Sequence, residues 1–184
     1  MAIEVFRGEH FFLSNMYPFK NGITTPDGVI VHTSEQLYLP ARLVHKEDRL
    51  AVEEAPSGFR AKRISRQLQN AGHPIRPGWD MVRVPIMRDC ILVKFAANIA
   101  LRDQLLATAN EELIEGNRWG DIFWGVSPPP PDGTGENMLG RLLMDAREGF
   151  RSPDFSIDID ELVQRIFDPN GYSEVLSPAE NAGG

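Results

Sequence analysis

The stretch Thr33-Ser34-Glu35-Gln36-Leu37-Tyr38-Leu39-Pro40-Ala41-Arg42 holds a helix start and a helix breaker close together. Thr33 and Gln36 have the spacing of a capping box, in which each side chain satisfies an orphan amide of the first turn. Glu35 then sits in that first turn, where the helix dipole favours a carboxylate. Pro40 lacks a backbone N–H and collides with the carbonyl four residues earlier. The pattern predicts a helix that kinks at Pro40 or stops short of it.

Upstream, residues 3–6 and 29–32 read as short strands, and Pro26-Asp27-Gly28 as a turn. Downstream, Ser57 as N-cap and Gly72 bracket a helix over 59–70, with Phe59, Ile64 and Leu68 near one face. Trp79, Val82, Ile86, Cys90 and Val93 recur at helical steps. They predict one long helix, or a turn and then a helix beginning at Pro85. Residues 101–107 and 138–150 are further helices, the latter with Leu139, Leu142, Leu143 and Ala146 facing the core. Asp158 with Glu161 caps a last helix to Phe167. The apolar runs 112–115 and 122–126 read as short strands, and Pro128 to Gly135 as a loop. The expected fold is α+β: a single compact, mainly helical domain with a small β-sheet over residues 1–167. A flexible C-terminal tail is expected over 168–184.

The chain has 184 residues, 42% hydrophobic and 24% charged, values that suit a globular domain with its own core. Its one cysteine, Cys90, cannot form an internal disulfide, which fits a reducing compartment. No basic flank and apolar run open the chain, and no stretch approaches the ~20 apolar residues of a membrane span. The expected location is cytoplasmic, with no membrane partner. The net charge of −7 argues against long non-specific contact with a phosphate backbone. Arg60, Lys62, Arg63 and Arg66 form a local basic cluster that suits one phosphorylated ligand, although by itself such a cluster is better read as a solvated helix face.

The four histidines, His10, His32, His45 and His73, are scattered singly, with no metal-ligand spacing. No metal site and no cofactor are expected. Gly133-Thr134-Gly135 lacks a Rossmann context, and no serine sits in a nucleophile elbow. Four polar residues remain inside aromatic or apolar segments: Asn15, Glu35, Asp121 and Asn137. Asp121 lies between Trp119 and Trp124, where desolvation suits a carboxyl to acid or base work. Singly, each has a structural explanation: a helix start, a turn cap, a core wall.

These segments are joined by a resemblance. Leu13-Ser14-Asn15-Met16, Thr33-Ser34-Glu35-Gln36-Leu37-Tyr38 and Ala61-Lys62-Arg63-Ile64-Ser65-Arg66 come first. Trp79 with Met87, Lys94 and Phe95 follows, then Asp121 with Trp124-Gly125. Asn137 with Leu139-Gly140, Leu143-Met144 and Arg147 closes the series. In this order, over about residues 5–150, the chain resembles the NADAR superfamily of NAD- and ADP-ribose-associated proteins. The departures are Gln36 for a usual histidine, Ser65 for a glycine, and Leu39-Pro40-Ala41-Arg42 for a Gln-Ala-Gln-Lys run.

The resemblance implies a compact, mainly helical α+β fold and an N-glycosidase activity on a ribosyl C1–N bond. Substrates it implies are ADP-ribose on a nucleobase, guanine in DNA, or a phosphoribosyl intermediate of the riboflavin pathway. Glu35 and Asp121 are the implied catalytic carboxylates, one for acid/base work and one for the sugar cation, in either assignment. Asn15 and Asn137 would bind ribose or base. Lys62, Arg66 or Arg7 would hold phosphate, and Trp124 and Phe12 would stack or wall the pocket, next to Gly125. Arg42 keeps a charge on the face of Glu35, and the proline-glycine loop before Asn137 would act as a lid. The implied partners are an ADP-ribosyl or ribose-phosphate ligand and ADP-ribosylated DNA. A second reading is a non-catalytic ADP-ribose or nucleotide-binding module, and a third is a structural protein that keeps only the fold.

Overall fold

The computed structural model describes residues 2–176. Strand β1 (Ala2–Ile3) pairs in parallel with β4 (Glu112–Leu113), and β2 (Ile23–Thr24) pairs antiparallel with β3 (Ile30–Val31). The sheet content is therefore two separate two-stranded pieces. Gly28, at φ +89°, supplies the left-handed residue of the turn between β2 and β3.

Helix α1 (Ser34–Tyr38) starts as its sequence predicts: the Thr33 hydroxyl accepts from the Gln36 amide at 3.2 Å. The Gln36 side chain completes the cap by accepting from the Thr33 hydroxyl rather than from an amide of Thr33. The helix stops short of Pro40, which opens a 3-10 turn, Pro40–Arg42. Helix α2 (Lys46–Glu53), not foreseen from the sequence, follows. Helix α3 (Gly58–Asn70) has Ser57 as its cap, accepting from the Arg60 amide. Its buried face is Gly58, Ala61 and Ser65; of the three residues read as sharing one face, Ile64 and Leu68 pack against the core and Phe59 is 63% exposed. Small residues there let α3 approach α1 closely.

Helix α4 (Trp79–Ala97) is the long helix of the two alternatives, with Pro85 inside it. Pro85 cannot donate to the Met81 carbonyl, and Met81 lies on the exposed side of the helix, where the loss is cheap. Helices α5 (Ile99–Ala107), α6 (Met138–Arg151) and α7 (Ile159–Phe167) complete the body, with Asp158 capping α7 through the Glu161 amide. The run 122–126 is not a strand; its residues form bends, and only Val126 bridges in parallel to Gly116. Helix α4 packs against α1, α5, α6 and α7, and so lies at the centre of the core.

The segment after Asp168, expected to be a loose tail, packs against α4 as far as helix α8 (Ser173–Leu176). Tyr172 is 1% exposed, and its hydroxyl donates to Asp89, which also pairs with Arg165 at 2.7 Å. Arg76 donates to the carbonyls of Ile166, Asp168 and Pro169. Buried hydrogen bonds of this kind fix a segment that composition leaves open. The rest of the expected tail, residues 177–184, lies outside the described residues. Tyr172→Phe removes a hydrogen bond to a buried carboxylate and is expected to cost about 1.5–3 kcal/mol, read as a lower urea midpoint at unchanged slope.

Candidate functional site

A cavity of about 960 Å³ opens between the N-terminal segment, α1, α3, α4 and the loop after β4. Each wall is positioned by an identifiable local device. The 3-10 helix Gly8–Leu13 turns Phe11 to the cavity and Phe12 into the core, where Phe12 is 6% exposed. Lys94, buried on α4, donates to the carbonyls of Phe12 at 2.6 Å and Ser14 at 3.0 Å, and so anchors the end of that segment. Burial without a carboxylate partner lowers the Lys94 ammonium to about 7. Asn15, next to Ser14, lines the cavity, and its buried Oδ1 has no partner among the described residues.

The carbonyl of Asn15 accepts from the Glu35 amide at 3.2 Å, which joins this segment to the start of α1. All five residues of α1 are buried, Glu35 included. Gln36 ties the helix down from the other side, donating to the carbonyls of Glu53 at 2.9 Å and Ala55 at 2.8 Å. Burial pushes the Glu35 carboxyl above its usual range; the ammonium of Lys62 opposes this and the charge of Asp121 adds to it.

Asp121 stands on the facing loop, which is organised by the buried Asn117. The Asn117 Oδ1 accepts from the amides of Trp119 and Asp121, and its Nδ2 donates to the Asp121 carbonyl at 2.7 Å. The Asp121 Oδ1 accepts from the amides of Phe123 at 3.1 Å and Trp124 at 2.9 Å. Asp121 is thus both a turn cap and a cavity residue. Trp124 packs edge-on against Tyr38, with ring centres 5.7 Å apart, and Tyr38 packs against Trp79 at 5.2 Å. These three rings form an aromatic wall beside Glu35.

The structure brings Glu35, Asp121, Arg7, Asn15 and Arg42 to this one cavity, with Lys62, Arg66 and Trp124. It does not bring Phe12, Gly125 or Asn137 to the lining. Three-residue periodicity turns Phe12 away from Phe11. Gly125 serves as a close-approach point, since a Cβ there would meet the Glu115 carbonyl at 2.1 Å. Asn137 spends its side chain on backbone, accepting from the Glu115 amide at 3.0 Å and donating to the Leu113 carbonyl at 2.8 Å. The proline-glycine loop is likewise absent from the lining; it folds on itself through the Ser127–Thr134 bridge instead of covering the cavity.

Sequence reasoning missed Glu115, a third acidic residue of the lining, and with it Arg83, Tyr38, Phe59 and Trp119 as cavity groups. The available signal for Glu115 was its place at the carboxyl end of the strand run 112–115, immediately before Gly116-Asn117. Burial raises the Glu115 carboxyl to about 7; the charge of Asp121 acts in the same direction, and Lys62 and Arg7 oppose it. Its Oε2 is buried without a partner among the described residues. Gly125 and Asn137, which the sequence suggested as ligand contacts, instead position Glu115. Among the described residues no group of three or more His, Cys, Asp or Glu is placed to hold a metal ion. No described helix is long and apolar enough to cross a membrane.

Fold and cavity together define a class: a small α+β domain that encloses a ligand site floored by carboxylates, rimmed by cations and walled by aromatic rings. The model of the NADAR domain matches residues 5–151. The chain belongs to the NADAR family. It is 33% identical over 122 residues to a protein named N-glycosidase YbiA from Escherichia coli (strain K12), covering 66% of this chain and 72% of that one. It is 37% identical over 142 residues to a protein named riboflavin biosynthesis protein VVA0006 from Vibrio vulnificus, covering 76% of this chain but only 35% of that one. The NMR structure of Escherichia coli YbiA superposes with a TM-score of 0.66 at 28% identity, over 82% of this chain and 84% of that one.

The proton on Glu115 gives a pH signature. Its folded-state value, about 7, lies above the ordinary 4.5, so its contribution to stability is complete below about 4.5 and is lost as pH rises through 7. Glu53, also raised to about 7 by burial, contributes with the same sign. Glu115→Gln is expected to reduce the fall in stability between pH 4.5 and 7 by at most about one proton's worth of slope, leaving the shares of Glu53 and of Glu35, which burial also raises. Urea titrations of both proteins across that range check this.

Proposed function

We propose that the chain is an N-glycosidase that hydrolyses a ribosyl C1–N bond of a phosphorylated substrate. The observation that carries this reading is the meeting of a buried carboxyl, Glu35, with the oriented carboxylate of Asp121 across one cavity large enough for a nucleotide-sized ligand. The names of its relatives support the reaction class.

Breaking a C1–N bond leaves the electron pair on the departing nitrogen and positive charge on the sugar. Glu35, whose burial favours the protonated form, gives its proton to that nitrogen. Asp121, held by two backbone amides through Oδ1, presents its other oxygen to the sugar cation. Water then adds to C1, and its proton returns to the Glu35 carboxylate, so the enzyme is regenerated and a free sugar hydroxyl and an N–H product leave. Asn15 offers its unpartnered Oδ1 to a ribose hydroxyl, and Trp124 and Tyr38 flank the ring. Arg7, Lys62 and Arg66 supply positive charge for phosphate.

Two substrates fit this reading: an ADP-ribosyl group on guanine in DNA, and a phosphoribosyl intermediate of the riboflavin pathway. The relative named for riboflavin biosynthesis supports the second. The exposed rings of Phe59 and Trp119 at the lining, 63% and 58% accessible, support a substrate that extends beyond the cavity, as DNA does.

Glu35→Gln and Asp121→Asn are each expected to lower turnover by about 10²–10⁴-fold. The assay follows release of ADP-ribose from a guanine-modified oligonucleotide and, separately, of ribose 5-phosphate from the phosphoribosyl intermediate of the riboflavin pathway. Circular dichroism controls for folding. Full activity of both variants on both substrates would remove the assignment.

A further inference from the structure

We infer that Glu115 is a third catalytic carboxyl, the first acceptor of the proton from the water that attacks the sugar carbon. This rests on the glycosidase reading, in which Glu35 is the acid and Asp121 faces the sugar cation. Glu115 lies two residues past β4 and lines the cavity with both of them. Its backbone is pinned on two sides: the amide donates to the Asn137 Oδ1 at 3.0 Å, and the carbonyl accepts from the Val126 amide at 3.0 Å. Its side-chain stem lies against Gly125, where an added Cβ would come within 3.1 Å of the Glu115 Cγ. Gly125 directly follows Trp124, whose amide holds the Asp121 carboxylate. One loop therefore fixes both side chains on the wall that faces α1.

Water that displaces a leaving group in line enters on the face opposite the departing atom, and its base stands on that side. The acid, Glu35, projects from α1, so the side of the water is the facing loop with Asp121 and Glu115. Hydrogen bonding separates the tasks of these two. The Asp121 Oδ1 accepts from two amides, which favours the carboxylate and suits it to a cation. The Glu115 Oε2 is buried with no partner among the described residues, which is costly unless water or a ligand completes it. Among the described residues no histidine lines the cavity to compete for the role.

Glu35 and Glu115 feel one another across the cavity, and burial decides which of them keeps a proton. Glu35 sits on a helix with no exposed face, whereas Glu115 is only partly buried. Charge is penalised more at Glu35, so the proton stays there and the charge falls on Glu115. The other charged groups that act on Glu115 are Asp121, Lys62 and Arg7. In the step, an O–H bond of water breaks, its proton goes to the Glu115 carboxylate, and the oxygen forms its bond to C1. Once the products leave, that proton passes through water to Glu35, the deeper and more basic group, and both carboxyls are reset.

Glu115→Gln and Glu115→Ala are each expected to lower kcat about 10²–10⁴-fold on the two substrates above, with KM within about threefold. Azide, a nucleophile that needs no base, is expected to restore Glu115→Ala about tenfold or more and to yield the glycosyl azide, and to leave Glu35→Gln unrestored. Azide that restores Asp121→Ala and not Glu115→Ala would overturn the assignment. The order of ionisation is read on the wild-type protein alone, by carbon NMR of the side-chain carboxyls assigned through bonds from the backbone. Glu115 is expected to ionise at lower pH than Glu35, and the reverse order would overturn the inference whether or not a variant folds. Full activity of Glu115→Gln beside inactive Glu35→Gln and Asp121→Asn would sink this inference and leave the glycosidase reading standing. Full activity of all three would remove both.

Discussion

A carboxylate on a helix with no exposed face is the constraint around which the site is arranged. Every residue of α1 is buried, and Glu35 is among them. A buried charge is tolerated only where it is paired, solvated or neutralised. Here the helix start is secured by Thr33 and Gln36, the Glu35 amide is satisfied by the Asn15 carbonyl, and burial favours a proton on the carboxyl itself. The side chain is left facing the cavity.

The same economy of placement governs the walls. Helix α4 buries Val82, Ile86, Cys90 and Val93 in the core, and offers Trp79, Arg83 and Met87 to the cavity. Lys94 at its far end fixes the segment that carries Asn15. Asp89 ties it to Arg165 and Tyr172, so the chain after Asp168 braces the helix from the side opposite the ligand. A displacement of α4 would therefore be felt at three walls of the site, because packed cores transmit movement.

Of the departures from the family pattern, the run from Leu39 to Arg42 alters the cavity wall, and all leave the carboxylates in place. Leu39 lines the cavity, and Pro40 opens the tight turn that delivers Arg42 to it. Gln36 stands where the family usually has histidine, and it bridges α1 to two carbonyls at the end of α2. Leu39 and Arg42 alter the cavity wall, Gln36 changes a contact behind it, and Glu35 and Asp121 stay in place.

The sequence by itself determined most of the helices and three of their caps, though not α2. Thr33, Ser57 and Asp158 announce helix starts because capping is a local hydrogen bond between near neighbours, and Pro40 stops α1 by excluding one local geometry. It also supplied the ordered motifs that brought Glu35, Asp121, Asn15 and Lys62 into one reading. Only the tertiary structure decided which residues face the ligand. Phe12 and Phe11 are neighbours of the same chemistry, and a 3-10 turn sends one inward and one to the cavity. Asn137 and Gly125 were suggested as ligand contacts and instead hold Glu115, a residue that no local pattern singled out. The loose tail expected from polar composition is bound at Tyr172 by a carboxylate 83 positions away. Such pairings depend on where distant segments meet, and a periodicity confined to neighbours along the chain carries no record of that.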